Sequence, residues 1–536
     1  MLAIAGCGTE QIGQPAADSA ALSSRATSEP AGMPPPVAVD AEGPPETDEG
    51  TGPGSGGDRY DEIVENPFLR VVAQPLSTFS IDVDTASYSK VRQFLLQHNR
   101  LPRPDAVRIE ELVNYFDYDY AGPSPEKSEP FTTHVAVSSC PWNEEHRLAR
   151  IAIKGRPMQL DQRPPSNLVF LIDSSGSMDS PNRLPLLKRG LRLMLEQLDG
   201  QDRVAVVAYA GSAGLVLDST PGDQQATILA AIDRLDAGGS TNGGAGLELA
   251  YNVARENLVE GGTNRVLLCT DGDFNVGRTG TDQMLDTVEM QSKAGVELTV
   301  LGFGMGNFND AMLEQISGRG NGNYAFIDTY NEARKVLVQQ LSGTLVTIAK
   351  DVKIQVEFNP HAVAAYRLIG YENRVLESQD FNDDTKDAGE IGAGHSVTAL
   401  YEIVPAGAAT VAELPETDPL KYQTPAEPSL AAASGELMTV KLRYKQPGQE
   451  QSILQQWAVD DSGRAFSETD TDFQFAAAVA GFGMLLRDSR YAGDWTLDAI
   501  EEVAQSALGD DPWGFRQEFV EMVAAAASLR RGTRTD

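Results

Sequence analysis

The chain is poor in cysteine, histidine and basic residues. Three cysteines in 536 residues cannot build a disulfide framework. Five histidines are too scattered for a zinc centre, because no two share a short ligand spacing. Lys and Arg number 43 against 77 Asp and Glu, a formal net charge of -34. Such a balance gives no electrostatic attraction to nucleic acid or to an anionic membrane surface. No apolar run reaches the ~20 residues that span a bilayer. Length and apolar material are not lacking. With 41% hydrophobic residues the chain can build real cores, and at ~150 residues per domain it is long enough for three or four modules.

The start of the chain differs in composition from the rest. Ile4-Ala5-Gly6-Cys7 resembles the bacterial lipobox, in which small residues precede a cysteine that becomes lipidated. A complete signal carries a basic region and a longer apolar core before that site, so a start further upstream is expected. From Gly8 to about Tyr60 the sequence is Ala, Ser, Pro, Gly and acid. Such a stretch cannot bury enough surface to offset its ordering entropy, and residues 1–65 are expected to be a disordered tether. The expectation is a cell-envelope lipoprotein anchored through Cys7.

Residues 66–160 mix helical runs (88–99 and 107–116) with an alternating strand (131–138) and read as an N-terminal α+β module. Residues 161–346 follow a different pattern. Leu168-Val169-Phe170-Leu171-Ile172 is a continuous apolar run, as in a strand buried on both faces. Leu184, Leu187, Leu191, Met194, Leu195 and Leu198 then share one helical face, with Gly200 as the stop. Further apolar strands at 204–209, 266–269 and 298–303 alternate with helices carrying Ile228, Leu247 and the 281–294 segment. This alternation predicts an α/β fold with a doubly wound, mostly parallel sheet. Residues 347–536 read as a C-terminal extension, β-rich over 347–465 and helical over 466–536.

Chemistry concentrates at the ends of the α/β strands, where open parallel sheets bind ligands. One strand ends in Asp173-Ser174-Ser175-Gly176-Ser177, a later one in Thr270-Asp271-Gly272-Asp273, and Gly238-Gly239-Ser240-Thr241-Asn242 opens a helix between them. Carboxylates and hydroxyls without thiolate or imidazole suit a hard divalent cation. Asp173-x-Ser175-x-Ser177, with Thr241 and Asp271 following in order, resembles the metal-ion-dependent adhesion site (MIDAS) of von Willebrand factor type A domains. The resemblance implies that Ser175, Ser177 and Thr241 supply oxygens to Mg²⁺ (or Mn²⁺). Asp173 and Asp271 would act directly or through water, and an acidic residue of a protein partner would complete the shell. Asp173 is read as a surface residue whose replacement leaves the fold nearly intact.

Enzyme motifs fail on inspection. Asp82-Val83-Asp84-Thr85-Ala86 departs from the phosphatase pattern at Ala86. Asp271 to Val276 lacks the glycine of a calcium loop. Ser87-x-x-Lys90 has none of its companion motifs. The glycine-rich signature of nucleotide hydrolysis is absent. The expected function is therefore a metal-dependent protein-binding module of the cell envelope, not an enzyme. The alternative is a scaffold that recruits an ATPase or multiprotein complex through the same domain.

Overall fold

The structure, a computed structural model, describes residues 58–532 apart from 125, 127, 275–280, 307, 410–420 and 423–427. Cys7 and nearly all of the expected tether lie outside these residues. The chain begins with β1 (Leu69–Arg70), β2 (Leu76–Ser80), α1 (Ala86–Arg92), α2 (Ile109–Asn114) and the hairpin β3 (Phe131–Cys140) and β4 (Asn143–Gly155). The α/β region follows as β5 (Ser166–Asp173), α3 (Leu184–Leu195), β6 (Arg203–Tyr209), β7 (Ala213–Pro221), α4 (Gln225–Asp233) and α5 (Gly243–Glu256). It continues through β8 (Thr263–Thr270), α6 (Thr281–Lys293), β9 (Glu297–Phe303), α7 (Asp310–Arg319), β10 (Tyr324–Ile327), α8 (Tyr330–Arg334) and α9 (Leu341–Leu345). Strands β11 (Thr347–Phe358), β12 (Val363–Ile369), β13 (Gly389–Gly392), β14 (Ser396–Pro405), β15 (Glu436–Lys445) and β16 (Ile453–Asp460) come next. Helices α10 (Thr471–Leu486), α11 (Leu497–Ser506) and α12 (Phe515–Gly532) close the described chain.

The α/β region forms one six-stranded sheet in the order β10-β9-β8-β5-β6-β7. Its pairings are parallel except β6 with β7. The doubly wound expectation holds. Leu168 to Ile172 are fully buried, and burial of each large side chain there contributes ~1.5–3 kcal/mol. Alternate residues serve opposite faces: Leu168, Phe170 and Ile172 pack beneath α3 and α4, while Val169 and Leu171 pack beneath α5, α6 and α7. Strand β7 was not foreseen. It returns from β6 through a tight turn closed by Ala210 N–H to the Ser212 carbonyl (3.1 Å), and a turn that short can join only antiparallel strands.

The segments flanking the sheet correct the expected organisation. They were read as two modules, 66–160 and 347–536, yet their strands interleave. One sheet runs β1-β12-β14-β4-β3, with β14 on β4 from Ser396↔Lys154 to Ile403↔Arg147. The other runs β13-β11-β15-β16, with β2 also on β11. Inner faces of the two sheets share one core, including Phe79, Ile151, Ile354, Tyr401 and Val440. The α/β region is thus inserted between the halves of a β-sandwich. Helices α10, α11 and α12 cover α1 and α2 in a further core. Helix α10 is apolar all round because it is buried all round. Among the described residues no helix is long and apolar enough to cross a membrane.

Candidate metal site at the strand ends

Asp173 is the last residue of β5 and is 0% exposed. Its Oδ1 accepts the Ser175 backbone N–H (2.8 Å), closing the turn that carries the two serines. Its Oδ2 accepts from the Tyr209 hydroxyl (3.2 Å) and the Thr270 hydroxyl (3.3 Å). Burial is the main cause that pushes the Asp173 carboxyl up to about 6; the nearby Asp271 charge adds to it, and the bonds from Ser175 and Tyr209 oppose it. The surface reading of Asp173 is therefore corrected. Removing the side chain would strand buried donors, at a cost of ~1–3 kcal/mol.

The Ser175 and Ser177 hydroxyl oxygens lie 3.0 Å apart. Two adjacent ligands of an octahedral Mg²⁺ at ~2.0–2.1 Å would sit at about that separation (~2.9 Å). The loop carrying Thr241 is fastened on both sides. Gly176 N–H donates to the Gly239 carbonyl (3.2 Å) and Gly238 N–H to the Ser174 carbonyl (2.8 Å). Gly239 has φ +85°, where a side chain would be strained. On the other side a Cβ at Gly243 would lie 2.5 Å from the Phe274 ring, so the start of α5 presses on the Asp271–Phe274 loop. Thr241, half-buried, lies in the short stretch between these two anchored points, Gly239 and Gly243. Gly272 (φ +88°) makes the turn directly after Asp271, and Phe308 closes over it so tightly that no Cβ would fit.

Three participants escaped the sequence. Tyr209 and Thr270 orient Asp173, as above. Arg183, the residue before α3, donates from Nη1 to Asp271 Oδ2 (2.7 Å) and to the Ser177 carbonyl (2.6 Å), and from Nη2 to the Met305 carbonyl (2.7 Å). Only the position of Arg183 beside the motif could have hinted at this. Asp273 is exposed and its N–H reaches Asp271 Oδ1 at 3.5 Å, which is a turn contact. Asn275 lies outside the described residues. Cys140 and Cys269 are both buried free thiols, and burial pushes both thiols up. Ser87 and Lys90 are committed to packing: the Ser87 hydroxyl donates to the Ala106 carbonyl (2.7 Å), and Lys90 Nζ lies 3.3 Å from the Phe308 ring centre.

By its chemistry the donor set, hydroxyls and carboxylates, fits a hard cation, and the structure brings the Ser175 and Ser177 hydroxyls side by side above Asp173. A doubly wound sheet with this loop set at its strand ends defines a von Willebrand factor type A domain, and a family model of that description matches residues 167–340. A further von Willebrand factor model matches 55–150, and one described as the C-terminal region of uncharacterized protein YfbK matches 343–529. Uncharacterized protein YfbK of Escherichia coli (strain K12) is 44% identical over 473 residues, covering 87% of this chain and 81% of that protein. The chain belongs to the YfbK family. Among solved structures, a von Willebrand factor type A protein from Catenulispora acidiphila has 15% identity and TM-score 0.40, covering 77% of this chain and 90% of that one. Proximal thread matrix protein 1 from the mussel byssus, with a zinc-occupied MIDAS motif, has 23% identity and TM-score 0.28, covering 35% and 46%.

Proposed function

We propose that the strand-end site holds Mg²⁺ (or Mn²⁺) and that this ion receives a carboxylate of a protein partner. The observation that carries this reading is the pair of serine hydroxyls, 3.0 Å apart, above the buried Asp173 carboxyl. Ser175, Ser177 and Thr241 would offer oxygens, with Asp173 and Asp271 balancing the charge. When bound, the ion supplies a Lewis-acidic docking point for an acid. Asp173 fixes the Ser175 turn, Tyr209 and Thr270 fix Asp173, and the two glycine turns hold the loops in register. A lipid on Cys7 would place the domain in the cell envelope.

Calorimetric titration of the full chain with Mg²⁺ and Mn²⁺ tests the metal assignment. Asp173→Asn keeps the shape and is expected to weaken binding about 10–100-fold, the range for groups that orient metal ligands. Equal affinity in wild type and variant would exclude the site. Capture of proteins from a detergent extract, with and without chelator, then tests partner docking. Fatty-acid labelling that depends on Cys7 tests the anchor.

A further inference from the structure

One peptide group joins the N-terminal segment to the strand-end site. It lies between Met305 and Gly306, in the loop from β9 to α7. Its carbonyl accepts from Arg183 Nη2 (2.7 Å), and its N–H donates to Asp58 Oδ1 (3.0 Å). A trans peptide is planar, with N–H and C=O on opposite sides. A carboxylate on one side and a guanidinium on the other therefore fix a single plane. The neighbouring Gly304 and Gly306 have φ +75° and +110°, a freedom of backbone that only glycine gives. Gly304 also lies against the Arg183 side chain, where no Cβ would fit.

Asp58 belongs to a short seated segment. Its Oδ1 also accepts the Phe308 N–H (3.0 Å), and the Tyr60 hydroxyl donates to its Oδ2 (3.3 Å). Arg59 N–H donates to the Phe308 carbonyl (2.8 Å), and the Arg59 carbonyl accepts the Asp310 N–H (3.2 Å). This makes a parallel bridge between Arg59 and Asn309. The seat is shallow: Arg59 is exposed, and Asp58 and Tyr60 are only half-buried.

The chain of contacts ends on the metal site. Arg183 Nη1 donates to Asp271 Oδ2 (2.7 Å), so a guanidinium supplies positive charge where a cation would supply it. Seated, Asp58 fixes the Met305 carbonyl, and that carbonyl holds Arg183 beside Asp271. We propose that residues 58–60 are a latch: seated, they keep Arg183 on Asp271 and disfavour the ion; released, they let Arg183 leave and the ion bind more tightly. The latch rests on the reading of the strand ends as a Mg²⁺ site.

The test is Asp58→Ala in the full chain, with and without Arg183→Gln, titrated with Mg²⁺ by calorimetry. Asp58→Ala is expected to raise Mg²⁺ affinity about 3–10-fold, the scale of coupling through packed contacts. Loss of a negative charge alone would lower it. In the Arg183→Gln background Asp58→Ala should change nothing, because it acts through that side chain. Asp58→Asn keeps the acceptor and should stay near wild type. In chelator, the urea-midpoint shift of the double variant should fall short of the sum of the two single shifts. Additive shifts overturn the latch. So does an Asp58→Ala affinity that is unchanged or lower, or an Asp58→Asn chain that behaves like Asp58→Ala. Absence of Mg²⁺ binding in every variant overturns the metal reading itself, and the latch with it.

Discussion

Two places in the molecule bury charge in opposite ways. At the joint between the α/β region and its surroundings, Arg92 is the centre and acids surround it. Its Nε donates to Asp328 Oδ2 (3.0 Å), Nη2 to Glu332 Oε2 (2.8 Å), and Nη1 to Glu518 Oε1 (2.8 Å) and the Tyr115 hydroxyl (3.0 Å). These partners come from the end of β10, from α8, from α12 and from the segment after α2, so one guanidinium ties together four stretches of chain. At the strand ends the acids are the centre instead. Hydroxyls orient Asp173, and Arg183 reaches Asp271 from the side, with 15% of its side chain exposed. The first arrangement uses up its charge in holding the fold. The second holds its acids with neutral donors and one half-buried arginine, and leaves two serine hydroxyls paired only with each other among the described contacts.

Breaking the joint should have the largest effect. Arg92→Met leaves three acids without their cation inside the protein, and such losses cost ~3–5 kcal/mol. The expected outcome is a large fall in the urea midpoint of the first unfolding transition, with Mg²⁺ affinity of the surviving folded protein unchanged. A fall below ~1 kcal/mol would mean that the joint is ornamental.

Lys335 sharpens the same contrast through pH. Its ammonium lies over the Tyr115 ring, 2.8 Å from the centre, and burial pulls it down to about 7. An unfolded chain holds that proton to ~10.4. Between these values the unfolded state binds more protons, so stability contributed by this group rises as pH increases; below pH 7 the group adds no pH dependence. The stability difference between wild type and Lys335→Met should therefore grow from pH 7 to 9, by at most ~1.4 kcal/mol per pH unit. A difference constant over that range would show that Lys335 is not buried as described.

How much of this was readable beforehand depends on how local the signal is. Strand β5 announced itself because Leu168–Ile172 must be apolar to be buried on both faces, and the serine and aspartate motif follows it directly. Strand β7 was passed over because its exposed edge alternates weakly, as Ala213, Leu215 and Asp218 show. The sandwich was missed for a different reason. The pairing of Ile151 with Ala399 joins residues far apart in sequence, and no periodicity encodes which strand meets which. Asp82 likewise reads as part of a broken motif, and only the fold brings it beside Arg374, 3.4 Å away.

Arg183 gives the smallest effect and the most direct comparison between the two charge clusters. It already does part of what a metal ion would do, since its guanidinium neutralises Asp271 and bonds the Ser177 carbonyl. If so, ion and arginine compete for one carboxylate oxygen. Arg183→Gln should then cost ~1–2 kcal/mol in chelator, because a partly buried pair is broken. The loss should shrink when Mg²⁺ is added, as binding to the folded state alone restores stability. Mg²⁺ affinity, read by calorimetry, should rise severalfold in the variant. A fall in affinity would reverse the interpretation, making Arg183 a support that holds Asp271 in place for the metal and giving the strand ends the same logic as the joint.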